Sequence, residues 1–194
     1  MALTASNMLA LHTPAPPFAL RDTVSGKDET FESLRGKQGT LVVFLCNHCP
    51  YVIHLLDSLI EKAAYWKTKG IATIGISSNS IATHPQDGPS YMKTLAEEKE
   101  FGFPYLYDPS QAVAHAYLAA CTPDFYLFDA AKKLYYRGCF DRSRPGNDIP
   151  VSGKEMDAAI ERMLNNQTPH PEQYPSMGCN IKWIAGNEPE WWNT

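Results

Sequence analysis

The sequence predicts an α/β fold with a central mixed sheet flanked by helices, and three observations predict it. "TLVVFLC" and "IATIGISS" are short β-branched apolar runs with an amphipathic stretch between them, the pattern of two parallel strands joined by a right-handed helical crossover. "DFYLFD" and "KLYYRGCF" are aromatic-rich runs separated by the turn "AAK", which reads as an antiparallel hairpin. A final stretch, "GKEMDAAIERML", has helical periodicity.

In chain order, "FALRDT" and "ETFESL" flank the turn-forming "VSGKD" and predict an N-terminal hairpin. "TLVVFLC" follows as a buried strand. Val52, Leu55, Leu56, Leu59, Ala63 and Trp66 then recur at three- and four-residue steps, predicting an amphipathic helix that ends at Gly70. After "IATIGISS" comes a loop with His84, Pro85 and Pro89, then a helix over 91–100 and a short extended piece, "FPYLYD", which together form a strand-helix insertion. The next helix is expected to be capped by Asp108, with Pro109 in its first turn and Gln111 closing a capping box, and to run to about Ala120. Ser152 and Glu155 predict a second capping box before the last helix. Residues 1–164 are read as one domain. Residues 165–194 are rich in Pro, Asn and Gln but hold Trp183, Trp191 and Trp192, so this tail is expected to dock on the domain.

Composition narrows the function. The chain has 194 residues, 44% hydrophobic and 20% charged, with net charge -4, which leaves no basic footprint for nucleic acid. The longest apolar run, Leu41 to Cys46, is far below the roughly 18 residues of a membrane span. The first 20 residues lack the charged start and apolar centre of a signal peptide, so a cytoplasmic location is expected. Five cysteines, an odd number, do not read as a secreted disulfide framework. In a reducing compartment they point to redox or metal chemistry.

The cysteines concentrate attention on "VVFLCNHCPYVIH". Cys46 and Cys49 lie where a strand turns into a helix, and their spacing fits a redox-active disulfide, half of a metal site, or a peroxide-reducing thiolate. The motifs "FLCNHCPYV", "DPSQAVAHAYLAACTPDFYLFD", "LYYRG", "DRSRPGN" and "GCNIKW" resemble, along nearly the whole chain, the peroxiredoxin-like, CxxC-containing thioredoxin-fold proteins of the alkyl hydroperoxide reductase and thiol-specific antioxidant superfamily. That resemblance implies a thioredoxin fold with a peroxiredoxin-like N-terminal hairpin. It implies a thiol-disulfide oxidoreductase in which Cys46 attacks from a helix N-terminus and Cys49 resolves. His48 would stabilise the Cys46 thiolate, Pro50 would follow the pair, and Thr122 would precede a cis Pro123 facing the disulfide.

Two alternatives stay open. In a peroxiredoxin-type thiol peroxidase Cys49-Pro50 would be the attacking unit, with Cys46 where that family carries a hydroxyl; the Arg expected near Pro123 is missing, and Arg137 or Arg142 would have to replace it. A copper-binding or metal-delivery protein of the same fold would use Cys46, Cys49 and His54. Cys121 and Cys179 are candidate additional redox residues, Cys179 as a third partner if the tail folds back. Cys139 is read as core, and Asp141, Arg142 and Arg144 as a loop ion-pair cluster. His12, His84, His115 and His170 have no ligand spacing. The expected partners are a protein or small-molecule disulfide and a thiol reductant whose identity the sequence does not give; no bound cofactor or metal is expected, and homodimer and monomer are equally compatible.

Overall fold

The computed structural model describes residues 3–193, so the first two residues of the expected domain and the last residue of the tail lie outside it. Strand β1 (Leu3–Ala5) precedes the hairpin of β2 (Ala19–Asp22) and β3 (Asp28–Thr30), and a short helix α1 (Phe31–Leu34) follows. The hairpin is shorter than "ETFESL" suggested. Thr30 accepts a hydrogen bond from the Ser33 N–H, and the Ser33 hydroxyl accepts from the Thr30 N–H, so this box turns the chain into α1 at Phe31.

β4 (Gly39–Phe44), α2 (Pro50–Thr68) and β5 (Ile71–Ser77) form the parallel unit, with Val42 opposite Ile74. α3 (Pro89–Glu98), β6 (Tyr105–Tyr107) and α4 (Ala112–Ala116) follow, and β6 pairs parallel to β5. β7 (Cys121–Thr122) leads through the cis peptide Thr122-Pro123 into β8 (Asp124–Asp129), which runs antiparallel to both β4 and β9 (Leu134–Gly138). α5 (Lys154–Leu164) and β10 (Met177–Asn180) complete the fold. The main sheet has the order β3-β2-β6-β5-β4-β8-β9, and a small second sheet has the order β1-β10-β7.

The alternation of side chains along β4 divides the core into two layers. Leu41, Val43 and Leu45 face α2 and α5, where Leu55, Leu59, Trp66, Met156 and Ile160 pack; Val42 and Phe44 face the opposite side with Tyr117, Tyr126, Phe128 and Trp183. With both faces covered, β4 is buried throughout and reads as a continuous apolar run.

Both later capping boxes are replaced by other arrangements. α4 begins only at Ala112 because Gln111 takes a left-handed conformation with φ of 61°. Asp108 accepts instead from the Ser78 hydroxyl and the Ala114 N–H, and the Gln111 amide bonds the tail. At α5, Gly153 is the left-handed N-cap, and Asp141 Oδ2 accepts the N–H groups of Ser152 and Gly153. Asp141 is therefore a backbone clamp, and Arg142 pairs with Glu155 at 3.4 Å while stacking on Tyr174.

β10 lies between β1 and β7, so residues on both sides of it are held to the body. The Ser176 hydroxyl donates to the Pro123 carbonyl at 2.6 Å, the Lys182 N–H donates to Asn79 Oδ1 at 2.8 Å, and the Lys182 carbonyl accepts from Ser80 N–H at 2.7 Å. Trp183 is buried against His115, Trp191 and Trp192. Among the described residues, no helix is long and apolar enough to cross a membrane.

Candidate redox site

β4 delivers the chain to Cys46 at the carboxyl end of the sheet. Pro50 decides where the helix starts: it occupies the first helical position, where its missing N–H costs no intrahelical bond, and it holds Cys49 extended at φ -70°, ψ 121°. Cys49, not Cys46, is therefore the N-cap residue, and its carbonyl accepts from the N–H groups of Val52 and Ile53. Both cysteines are buried, at 1% and 0% exposure.

Thr122 touches both sulfurs. Its hydroxyl is 3.4 Å from Cys46 Sγ, and its carbonyl is 3.1 Å from Cys49 Sγ, which donates to it when protonated. The two thiols share a hydrogen bond, and the Cys179 thiol and backbone N–H also bond to Cys49. The hydrogen bond from Cys46, with further donors from Cys179 and Thr122, holds Cys49 down to about 5 against the opposing effect of burial. Cys46 is pushed well above the ordinary thiol range, first by the same shared bond, then by burial and the Asp87 carboxylate. The donors that converge on Cys49 thus come from Cys46, Cys179 and Thr122, while its side chain makes no capping hydrogen bond to α2.

His48 is oriented by Asp87 beside the pair, with ligand-type atoms of His48 and Cys46 within 4.8 Å of each other. Its Nδ1 lies 2.7 Å from Asp87 Oδ2, and its ring stacks on His84 at 4.7 Å between centroids. Asp87 is fully buried, and also accepts from the Asn47 N–H at 2.9 Å and the Asn79 amide at 2.8 Å. Neither Asp87 nor Asn79 stood out in the sequence; the only local cue is an Asp between Pro85 and Gly88, where a tight turn is expected. His84, read as ordinary, adjoins the site, and burial lowers its pKa.

Cys46, His48 and Asp87 bring three ligand-type atoms within 4.8 Å of one another, the one such grouping among the described residues. Asp87 is already occupied by three hydrogen-bonded partners, so these residues fit an oriented polar network better than a chelate. The copper-type set is not assembled: His54 Nε2 lies 2.7 Å from the Ser143 hydroxyl, on the flank of α2 that faces the 141–149 loop.

The remaining expected residues separate clearly. Cys121 is one residue from Thr122 on a strand and so turns to the other face, where its thiol meets the Pro123 carbonyl at 3.6 Å. Burial pushes its pKa well up. Burial also raises Cys139, which sits against Tyr136 in the core. Arg137 donates to the Leu9 carbonyl and to Gln173, and Arg142 is held by Glu155 and Tyr174, so both are committed elsewhere than at the thiolate.

Residues 11–137 match the model of the AhpC/TSA family, about two thirds of the chain. The chain belongs to the AhpC/TSA family. Among solved structures, this AhpC/TSA protein is similar to an uncharacterized conserved protein from Geobacillus kaustophilus, with 44% identity over 95% of this chain and 97% of that one and a TM-score of 0.93. It is also similar to a hypothetical protein from Sinorhizobium meliloti, with 39% identity over 94% of this chain and 100% of that one and a TM-score of 0.91. A thiol:disulfide interchange protein of the thioredoxin family from Chlorobium tepidum shares the fold, with 18% identity over 80% of this chain and 98% of that one and a TM-score of 0.60. No curated protein matches. The fold is thioredoxin-like, as the motifs implied, and the family is one of redox enzymes.

Proposed function

We propose that this AhpC/TSA protein is a thiol-disulfide oxidoreductase whose redox couple is Cys46 and Cys49, with Cys49 as the attacking thiolate. The observation that carries the reading is geometric: Cys49 N-caps α2, and both sulfurs meet Thr122, Cys46 at its hydroxyl and Cys49 at its carbonyl, in a setting whose donors favour the Cys49 thiolate. The thiolate is the nucleophile in thiol-disulfide exchange. Cys49 attacks one sulfur of a substrate disulfide, forming a mixed disulfide and releasing the first substrate thiolate. Cys46 then loses its proton and attacks Cys49 Sγ, releasing the second thiolate and leaving the Cys46–Cys49 disulfide. The substrate gains two electrons and the pair loses two; an external thiol reductant returns the pair to the dithiol. A cytoplasmic location fits this cycle, because a reducing thiol pool supplies that reductant.

A second reading, thiol peroxidase, is favoured by the same low-pKa Cys49 directly before Pro50. Cys49 would attack a peroxide oxygen to give a sulfenic acid and an alcohol or water, and Cys46 would condense with it to release water and form the disulfide. It ranks second because Arg137 and Arg142 are bonded elsewhere, so among the described residues the donors at Cys49 are the Thr122 hydroxyl, the Cys46 and Cys179 thiols and the Cys179 N–H, none of them a guanidinium.

Single-turnover reaction of the reduced protein with glutathione disulfide and, separately, with hydrogen peroxide tests the proposal. Fast formation of a Cys49-glutathione adduct that Cys46 resolves supports disulfide exchange. Fast peroxide consumption with slow glutathione disulfide reaction would transfer the assignment to the peroxidase.

A further inference from the structure

The two sulfurs of the proposed pair are covered from one side by β10, and β10 brings its own cysteine to them. Among the described residues β7 pairs with one strand, β10, in the register Cys179 opposite Thr122 and Asn180 opposite Cys121. Residues directly opposite in a ladder project from the same face. Thr122 is the residue that contacts both Cys46 and Cys49, so its partner Cys179 points at the same place. The contact is made: the Cys179 thiol and N–H both bond to Cys49 Sγ. Cys121 and Asn180 project from the other face, which is why one of the two remaining neighbouring cysteines reaches the pair and the other does not.

Gly178 makes this approach close. A Cβ built there would fall 2.0 Å from the Thr122 carbonyl oxygen and 2.7 Å from its carbon, so any larger side chain must move β10. The strand is also anchored on both sides, by Ser176 on Pro123 and by Lys182 on Asn79 and Ser80. An anchored strand, a residue too small to hold it off, and a thiol in contact with the nucleophile are independent features of one placement.

We propose that Cys179 is a third redox cysteine, which takes over the disulfide from the Cys46–Cys49 pair. This rests on the redox reading of that pair. Once Cys46–Cys49 is oxidised, the Cys179 thiolate attacks Cys49 Sγ. The Cys46–Cys49 bond breaks as the Cys49–Cys179 bond forms, and the proton released by Cys179 ends on Cys46. The exchange is an isomerisation of one disulfide, so it needs neither oxidant nor reductant. Its product ties β10 covalently over the start of α2 and leaves Cys46 as a free thiol. The reductant that completes the cycle then meets a disulfide carried partly on the C-terminal strand.

The test oxidises fully reduced protein with stoichiometric diamide, quenches with N-ethylmaleimide at low pH, and maps disulfides by mass spectrometry of unreduced digests. In Cys46→Ser, a Cys49–Cys179 linked peptide is expected as the main intrachain disulfide, formed within about tenfold of the rate of Cys46–Cys49 in the unmodified chain. In Gly178→Ala, which retains all five thiols, Cys46–Cys49 is expected to form while Cys49–Cys179 falls at least tenfold. If the unmodified chain forms Cys46–Cys49 but Cys46→Ser, folded by circular dichroism, forms no Cys49–Cys179, the relay is wrong and the pair stands. Unchanged Cys49–Cys179 yield in Gly178→Ala would overturn the strand-placement argument. If no disulfide involving Cys49 forms in any of the three proteins, the redox reading fails together with the relay.

Discussion

Thr122 holds Cys49 by its backbone and Cys46 by its side chain: Cys49 Sγ lies 3.1 Å from the Thr122 carbonyl, and Cys46 Sγ lies 3.4 Å from the hydroxyl. The hydroxyl also helps to keep Cys49 ionised. A hydrogen bond to a charged group contributes about 1.5–3 kcal/mol, or roughly one to two pKa units. Thr122→Val keeps the β-branched shape and removes the donor, so Cys49 should become less acidic. Its alkylation by iodoacetamide at pH 5 is expected to slow at least about fivefold. An unchanged rate would show that the hydroxyl serves Cys46 alone.

Asp87 acts on the other member of the pair. Its buried carboxylate pushes Cys46 up, and Asp87→Asn removes the charge while leaving an oxygen for the Asn47 N–H. In a Cys49→Ser background, where the coupled partner is gone, the remaining Cys46 thiol should titrate at lower pH with Asp87→Asn than without it. The pH dependence of iodoacetamide alkylation measures this. A Cys46 titration that stays in place would mean that burial, rather than the carboxylate, sets it.

The parts of this molecule written in local pattern were legible in the sequence. β-Branched and aromatic runs gave β4, β5 and the β8–β9 hairpin, and three- and four-residue spacing gave α2 and α5. What failed was decided by partners far away in the chain. Asp108 and Ser152 have the residue types of caps, but left-handed Gln111 takes the N-cap position of α4 while Asp108 divides its carboxylate between Ser78 and the Ala114 N–H, and Asp141 takes over the start of α5. In the site, Cys46 and Cys49 could be found by spacing, whereas their acidities could not. Pro50 moves the helix N-terminus to Cys49, and a tail residue 130 positions after Cys49 supplies two of its donors. Asp87 was invisible because a buried carboxylate in a loop leaves no periodic signature.

Asp124 couples the strand after Pro123 to pH. It is fully buried, and burial raises its pKa from 3.8 to about 7, although the Ala120 N–H and the Tyr126 hydroxyl donate to Oδ2. Between about 4 and about 7 the folded chain binds more protons at this site than the unfolded chain. Its contribution is therefore fully present below the unfolded pKa, is lost as pH rises through that window, and levels off above it. The size is on the order of a few kcal/mol. Urea unfolding at pH 5 and pH 8 should show this loss in the unmodified chain, and Asp124→Asn should abolish most of the difference. An equal pH dependence in the variant would assign it to other groups.

The most direct measurement is a redox titration of the pair. The protein is equilibrated across a series of reduced and oxidised glutathione ratios, trapped by rapid alkylation, and read by mass. A reversible two-electron transition is expected, in which each oxidised molecule loses two alkyl labels and Cys49 is always among the protected residues. Cys49→Ser should abolish it. A chain that keeps all its reactive thiols across the whole range, or a transition that survives Cys49→Ser unchanged, would contradict the assignment of Cys49 as the centre of the redox chemistry.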